Sequence, residues 1–118
     1  MHDFRKLDVY QRALLFTKRV RGVTASFPRE EMYGLTSQFR RAADSIVLNL
    51  AEGAGCTSKK EFAKFVGYSA RSGYECGGCA DIAAILQYIS KKDYDELIDE
   101  TNQIVAMIIG LQRSLQRQ

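Results

Sequence analysis

Apolar residues recur along this chain at spacings of three and four, the period of a helix that buries one face. From about Asp8 to Ala25 the repeat is Val9, Ala13, Phe16, Val20 and Val23. From about Glu30 to Glu52 it is Leu35, Phe39, Ala42, Ala43, Ile46 and Leu50. After Ser58 come Phe62, Phe65, Val66, Ser69, Gly73, Cys76, Ala80 and Ala83; after Ser90 come Leu97, Thr101, Ile104, Ile108, Leu111 and Leu115. Between the repeats stand Ser26-Phe27-Pro28, Gly53-Ala54-Gly55-Cys56-Thr57-Ser58 and Ser90-Lys91-Lys92. Pro28 suits a first helical turn and not a helix interior. Gly53 is placed as a left-handed C-terminal cap. Ser58 with Glu61, and Ser90 with Asp93, have capping-box spacing and start the third and fourth helices. No segment alternates with the period of two that a half-buried strand requires. The pattern predicts an all-α fold, an antiparallel up-down-up-down four-helix bundle joined by short links. With 118 residues and about 100–200 per domain, it is a single domain over 1–118.

Two apolar stripes are wider than one core needs. Ile82, Ile85 and Ile89 lie off the main face of the third helix, and Ile98, Val105 and Ile109 off that of the fourth. Large unpartnered apolar patches are rare on monomers, so these positions are expected to form a subunit interface. Gly73 and Gly77, with Ala80 and Ala84, are expected at a close helix contact. The second helix carries a polar edge. At about 100° per residue, Gln38, Arg41, Ser45, Asn49 and Glu52 fall within an arc of about 80° beside the apolar face. Ser72 and Glu75 share a face of the third helix, and Glu75 is expected to meet Arg41 or Asn49 across the two. Such boundary polar groups need partners, so the seven are read as a structural network that sets register. A ligand site is the alternative use.

Charge and composition refine this picture. Apolar residues make up 46% and charged residues 26%, the balance of a globular chain and not of a disordered one. Residues 1–60 carry eleven Lys/Arg against six Asp/Glu, and residues 61–118 six against eight, for a net +3. The excess on the first two helices is suited to phosphate, and Arg12, Lys18, Arg19, Arg40, Lys59 and Lys60 are its expected contacts. The start of the fourth helix is acidic. No apolar stretch follows Met1-His2-Asp3-Phe4-Arg5-Lys6, and none approaches the about 20 residues of a membrane span. With three clustered cysteines, an odd number, no disulfide framework is expected, and the protein is placed in the cytoplasm with reduced thiols.

The chain offers little catalytic chemistry. Cys76-Gly77-Gly78-Cys79 has CxxC spacing but falls deep in the third helix, away from the N-terminal dipole that activates such thiols. Zinc needs about four ligands, and only Cys56 and the lone His2 stand beside that pair. No nucleophile–His–acid set can be assembled without a usable histidine beyond His2. Gly53-Ala54-Gly55 lacks the strand and lysine of a phosphate loop. The expectation is therefore no catalytic residue, no metal and no cofactor.

Several segments are distinctive: Phe27 to Ala42, which reads FPREEMYGLTSQFRRA; Ser45 to Gly53, SIVLNLAEG; Ser58 to Phe62, SKKEF; and Phe4 to Ala13, FRKLDVYQRA. Together they resemble the bacterial 23S rRNA intervening-sequence protein family, also called the S23 or four-helix-bundle protein family. The resemblance covers nearly the whole chain and matches at Gln38, Arg41, Ser45, Asn49, Glu52, Gly53, Ser72 and Glu75. It departs at Tyr10, where the family often has Trp, at Arg71, where a small residue is usual, and at Cys76 and Cys79, where larger apolar residues are usual. The resemblance implies a short up-down bundle assembled as a homopentamer. The family is named for reading frames found in insertions within 23S rRNA genes. It is similar to the accessory variability proteins of diversity-generating retroelements, basic pentamers that bind nucleic acid and a reverse transcriptase. The expected function is that of a non-enzymatic, oligomeric RNA- or DNA-binding or accessory protein with its basic surface on the first two helices. The alternative is a homo-oligomeric scaffold for a protein partner without a nucleic-acid role.

Overall fold

Each apolar repeat becomes one helix. In the computed structural model, which describes residues 3–117, α1 spans Asp8–Thr24, α2 Leu35–Ala54, α3 Lys59–Ile85 and α4 Lys91–Gln116. No strand occurs among the described residues, and short 3-10 turns at Phe4–Lys6 and Arg29–Glu31 precede α1 and α2. The molecule measures 45 × 24 × 20 Å. At about 1.5 Å per residue α3 is about 40 Å long, so the helices run along the long axis and their links lie at its two ends.

Cross-helix contacts fix the direction of each helix. Ser69 Oγ donates to the Ile46 carbonyl (2.7 Å), and Ser72 Oγ lies 2.9 Å from Ser45 Oγ. Gln112 Nε2 donates to the Ala63 carbonyl (3.1 Å) and Tyr94 to Asp81 (2.6 Å). Arg21 grips Asp44 with two bonds of 2.7 and 2.8 Å, and Arg40 Nε donates to Thr24 Oγ1 (2.9 Å). In every helix pair the residue number rises on one helix as it falls on the other, so neighbours are antiparallel and α1 returns against α4. The four apolar stripes meet in one core, with Phe16, Phe39, Ile46, Leu50, Val66, Leu97, Ile104 and Ile108 fully buried.

Both serine caps form: Ser58 accepts the Glu61 N–H and Ser90 the Asp93 N–H, each at 3.1 Å. Three boundaries differ from expectation. First, α2 begins at Leu35, not near Glu30. Residues 29–31 form a separate turn, and Glu31 Oε1 reaches forward to accept the Leu35 N–H (3.2 Å). Its Oε2 accepts the Tyr88 hydroxyl (2.8 Å), so one carboxylate both caps α2 and ties it to the α3–α4 link. Second, Gly53 is no left-handed cap; it lies inside α2, and no described glycine has positive φ. A Cβ there would stand 2.8 Å from Phe65 Cβ and 3.2 Å from the Phe62 carbonyl oxygen, so glycine serves the close crossing of α2 and α3. Third, α3 ends at Ile85. Gln87 takes the left-handed conformation (φ 62°), and the N–H groups of Gln87 and Tyr88 close onto the Ala84 and Ala83 carbonyls.

Gly73 does lie at a tight contact, where a Cβ would come 2.5 Å from Val105 Cγ2, but Gly77 faces open space. Much of the surplus apolar stripe is used within the chain: Val105 is buried, and Ile98 packs on the core, as does Ile89 beyond the end of α3. Ile109 is half-buried. Ile82 and Ile85 alone of the six stay exposed.

Candidate nucleic-acid interface

The polar edge of α2 divides into an inner and an outer part. Ser45, Asn49 and Ser72 meet: Asn49 Nδ2 donates to both the carbonyl and the hydroxyl of Ser45 (2.9 Å each), and Ser72 bridges from α3. Gln38, Arg41, Glu52 and Glu75 are exposed, and none has a side-chain hydrogen bond or ion pair among the described residues. The expected bond from Glu75 to Arg41 or Asn49 is not made. Asn49 folds back one turn onto Ser45, the two serines close the helix pair, and Glu75 is left facing outward. Arg41 and Glu75 instead line one open trough of about 710 Å³, with Tyr33, Gln38, Ser45 and Leu48. Tyr33 is 94% and Leu48 62% exposed there, and the pattern of α2 alone did not single out either.

The six expected phosphate contacts do not share a face. Arg12 reaches across to α4, bonding the Gln103 amide oxygen and approaching the Met107 sulfur at 3.8 Å. Arg19 pairs with Asp93 (3.1 Å) and Glu96 (2.5 Å). Arg40 is held by Thr24. These three tie α1 to its neighbours, and Arg19 does so because the antiparallel return sets the later turns of α1 beside the acidic start of α4. Lys18 is exposed and makes no ion pair among the described residues. Lys59 and Lys60 lie at the other end of the molecule, in the first turn of α3. There they line a groove of about 350 Å³ with Lys64, Ala63, Gln112, Leu115 and Gln116. Lys64 and the two glutamines were missed in the sequence. The antiparallel topology itself was the available signal, since it brings the start of α3 to the end of α4, where Arg113 and Arg117 also lie.

Cys76 and Cys79 are buried in the body of α3. Burial, reinforced by the neighbouring thiol and by Glu75, pushes the Cys76 thiol far above its ordinary range. Burial and Glu75 raise Cys79 to about 11. A raised pKa withholds the thiolate on which thiol chemistry and metal ligation depend. Cys56 is half-buried, its Sγ 3.5 Å from the Glu52 carbonyl oxygen. No group of three or more potential metal ligands occurs among the described residues; His2 lies outside them. No helix is long and apolar enough to cross a membrane.

Four antiparallel helices and a serine–asparagine seam between α2 and α3, with Lys59, Lys60 and Lys64 grouped at one end, define a small helical-bundle protein. Residues 5–110 match the 23S rRNA-intervening sequence proteins, and the chain belongs to that family. A solved structure of similar fold is a protein of unknown function from the S23 ribosomal protein family of Bacteroides thetaiotaomicron. It superposes with a TM-score of 0.80 over 86% of this chain and 95% of that one, at 18% identity, a likeness that carries the fold. No curated protein matches the chain.

Proposed function

We propose that the protein is a non-enzymatic, homo-oligomeric nucleic-acid-binding or accessory protein of the cytoplasm, pentameric as the family resemblance implies, working without metal or cofactor. The observation that carries this reading is the positive charge the fold leaves unanswered. Lys18, Arg29, Lys60, Lys64, Arg113 and Arg117 make no ion pair among the described residues, and no acidic side chain lines the groove that holds Lys60 and Lys64. Exposed cations without acidic partners suit phosphate, whose counterions they release. Membership of a family named for sequences intervening in 23S rRNA supports RNA as the first ligand to try.

The test is fluorescence anisotropy of a labelled, structured RNA at several salt concentrations, with mass measured by light scattering. Log affinity is expected to fall linearly with log salt, with a slope of about 0.9 per phosphate neutralised on a duplex. A second reading, a scaffold for a protein partner, draws on the exposed apolar side chains Tyr33, Leu48, Tyr74 and Ile85. An oligomer that binds no RNA even at low salt favours that second reading.

A further inference from the structure

We propose that the groove between the first turns of α3 and the last turns of α4 is the phosphate-contacting site, and that it takes the phosphodiester backbone of an RNA strand. The inference rests on the nucleic-acid reading above and moves its contacts away from the α1–α2 surface.

The groove is lined by Lys59, Lys60 and Lys64 on one side and Gln112, Leu115 and Gln116 on the other, and no acidic side chain lines it. Lys60 and Lys64 stand one helical turn apart on the same face, about 5–6 Å between Cβ atoms. Each carries a compact charge on a flexible four-carbon stem, so the two reach one phosphate or neighbouring phosphates of one strand. Neither makes an ion pair among the described residues. The positive end of the α3 dipole adds to the same field.

The opposite wall is held in place. Gln112 Nε2 donates to the Ala63 carbonyl (3.1 Å) through space kept open by Gly67, where a Cβ would stand 2.7 Å from that nitrogen. The amide keeps a second N–H and its oxygen for a ligand, which suits a sugar hydroxyl or a base edge beside the bound phosphate. On the α1–α2 surface Arg12, Arg19 and Arg40 each commit a donor within the fold, to Gln103, to Asp93 and Glu96, and to Thr24, and the trough beside Arg41 is lined by the acids Asp44 and Glu75.

The experiment compares two variants of the full chain that each lose two positive charges, Lys60→Gln with Lys64→Gln and, in the first turn of α4 at the opposite end, Lys91→Gln with Lys92→Gln. All four residues are exposed, and circular dichroism checks that both variants keep their helix content. Binding of a fluorescent RNA hairpin is read by anisotropy between about 50 and 200 mM salt. The groove variant is expected to weaken binding about tenfold and to lower the salt slope by about 1 per lysine, while the other variant retains most of the affinity. Equal losses in the two variants, or an undiminished affinity in the groove variant, overturn the groove assignment and leave nucleic-acid binding standing. Failure of the wild-type chain to bind RNA at low salt overturns both. Phosphatidylserine vesicles are the parallel probe. Lysine-dependent binding to them without binding to RNA assigns the groove to a lipid surface and overturns the proposal.

Discussion

Ser69 and Glu75 sit on the same helix, and their surroundings give them different weights. Ser69 is fully buried, and its hydroxyl donates to the Ile46 carbonyl across the α2–α3 contact. Glu75 faces the open trough without a hydrogen-bond partner. Ser69→Ala is expected to lower stability by about 1 kcal/mol, and Glu75→Ala to stay within about 0.5 kcal/mol of wild type. Urea denaturation midpoints check both, and a Glu75→Ala loss matching that of Ser69→Ala would show that Glu75 has a partner in solution. The thiols carry a second prediction. Cys76 and Cys79 have raised pKa values, so the folded state holds them neutral where the unfolded chain begins to ionise. Their contribution is complete below the ordinary value of 9.0 and is lost as pH rises from there toward about 11. Stability is therefore expected to fall above pH 9, and a Cys76→Ala/Cys79→Ala variant to show a shallower decline. In the native protein at pH 8 a disulfide reagent such as dithionitrobenzoate should titrate the half-buried Cys56 first. Rapid native reaction of all three thiols would contradict the burial of the α3 pair.

The glycines act at the level of the helix, and each is decided by what lies opposite. Alanine in place of a mid-helix glycine gains up to about 1 kcal/mol of helix propensity. At Gly53 and Gly73 the new methyl meets Phe65 Cβ and the stiff Val105, and overpacking of this kind costs about 1–3 kcal/mol. Gly53→Ala and Gly73→Ala are thus expected to destabilise the bundle, while Gly77→Ala, with nothing within 4 Å, is expected to stabilise it by up to about 1 kcal/mol. Thermal melts of the three variants decide the matter, and three shifts of one sign would refute the assigned contacts. The same positions mark how far the sequence could be read. Helical period and serine caps are local signals, so the four helices and the starts of α3 and α4 were legible. A glycine in sequence has two meanings, a left-handed turn or a missing methyl, and only the crossing helix chose between them at Gly53. The start of α2 was misplaced because Glu31 caps it from outside the helix, through a carboxylate also held by Tyr88. The inner members of the polar seam could be foreseen from the α2 stripe. Lys59 and Lys60 of the lysine groove were legible as basic residues, but their opposite wall was not, because Lys64 and Gln112 are 48 positions apart and the predicted antiparallel path alone does not give the register that joins them.

On the scale of the whole molecule, polar and apolar surfaces separate along and around the bundle. The lysine groove lies at the α2–α3 link end, the acids of α4 lie with Arg19 toward the opposite end, and an apolar strip runs along the outside of α3. Tyr74, Ile82 and Ile85 fall on one arc of that helix and are 64, 47 and 81% exposed. Of the α4 residues expected at an interface, Val105 is buried and Ile98 packs on the core, so the exposed apolar side chains of that expectation are on α3. A strip of this kind is costly to leave in water, and oligomerisation through it would keep the lysine ends free to face a shared ligand. Ile85→Glu places a charge on the strip without touching the core. Because the residue is so exposed, the variant is expected to keep its denaturation midpoint within about 0.5 kcal/mol of wild type when both are monomeric. Light scattering is expected to show a lower mass than wild type. An unchanged mass would move the subunit contact to the α2–α3 trough, where Leu48→Glu is the corresponding variant.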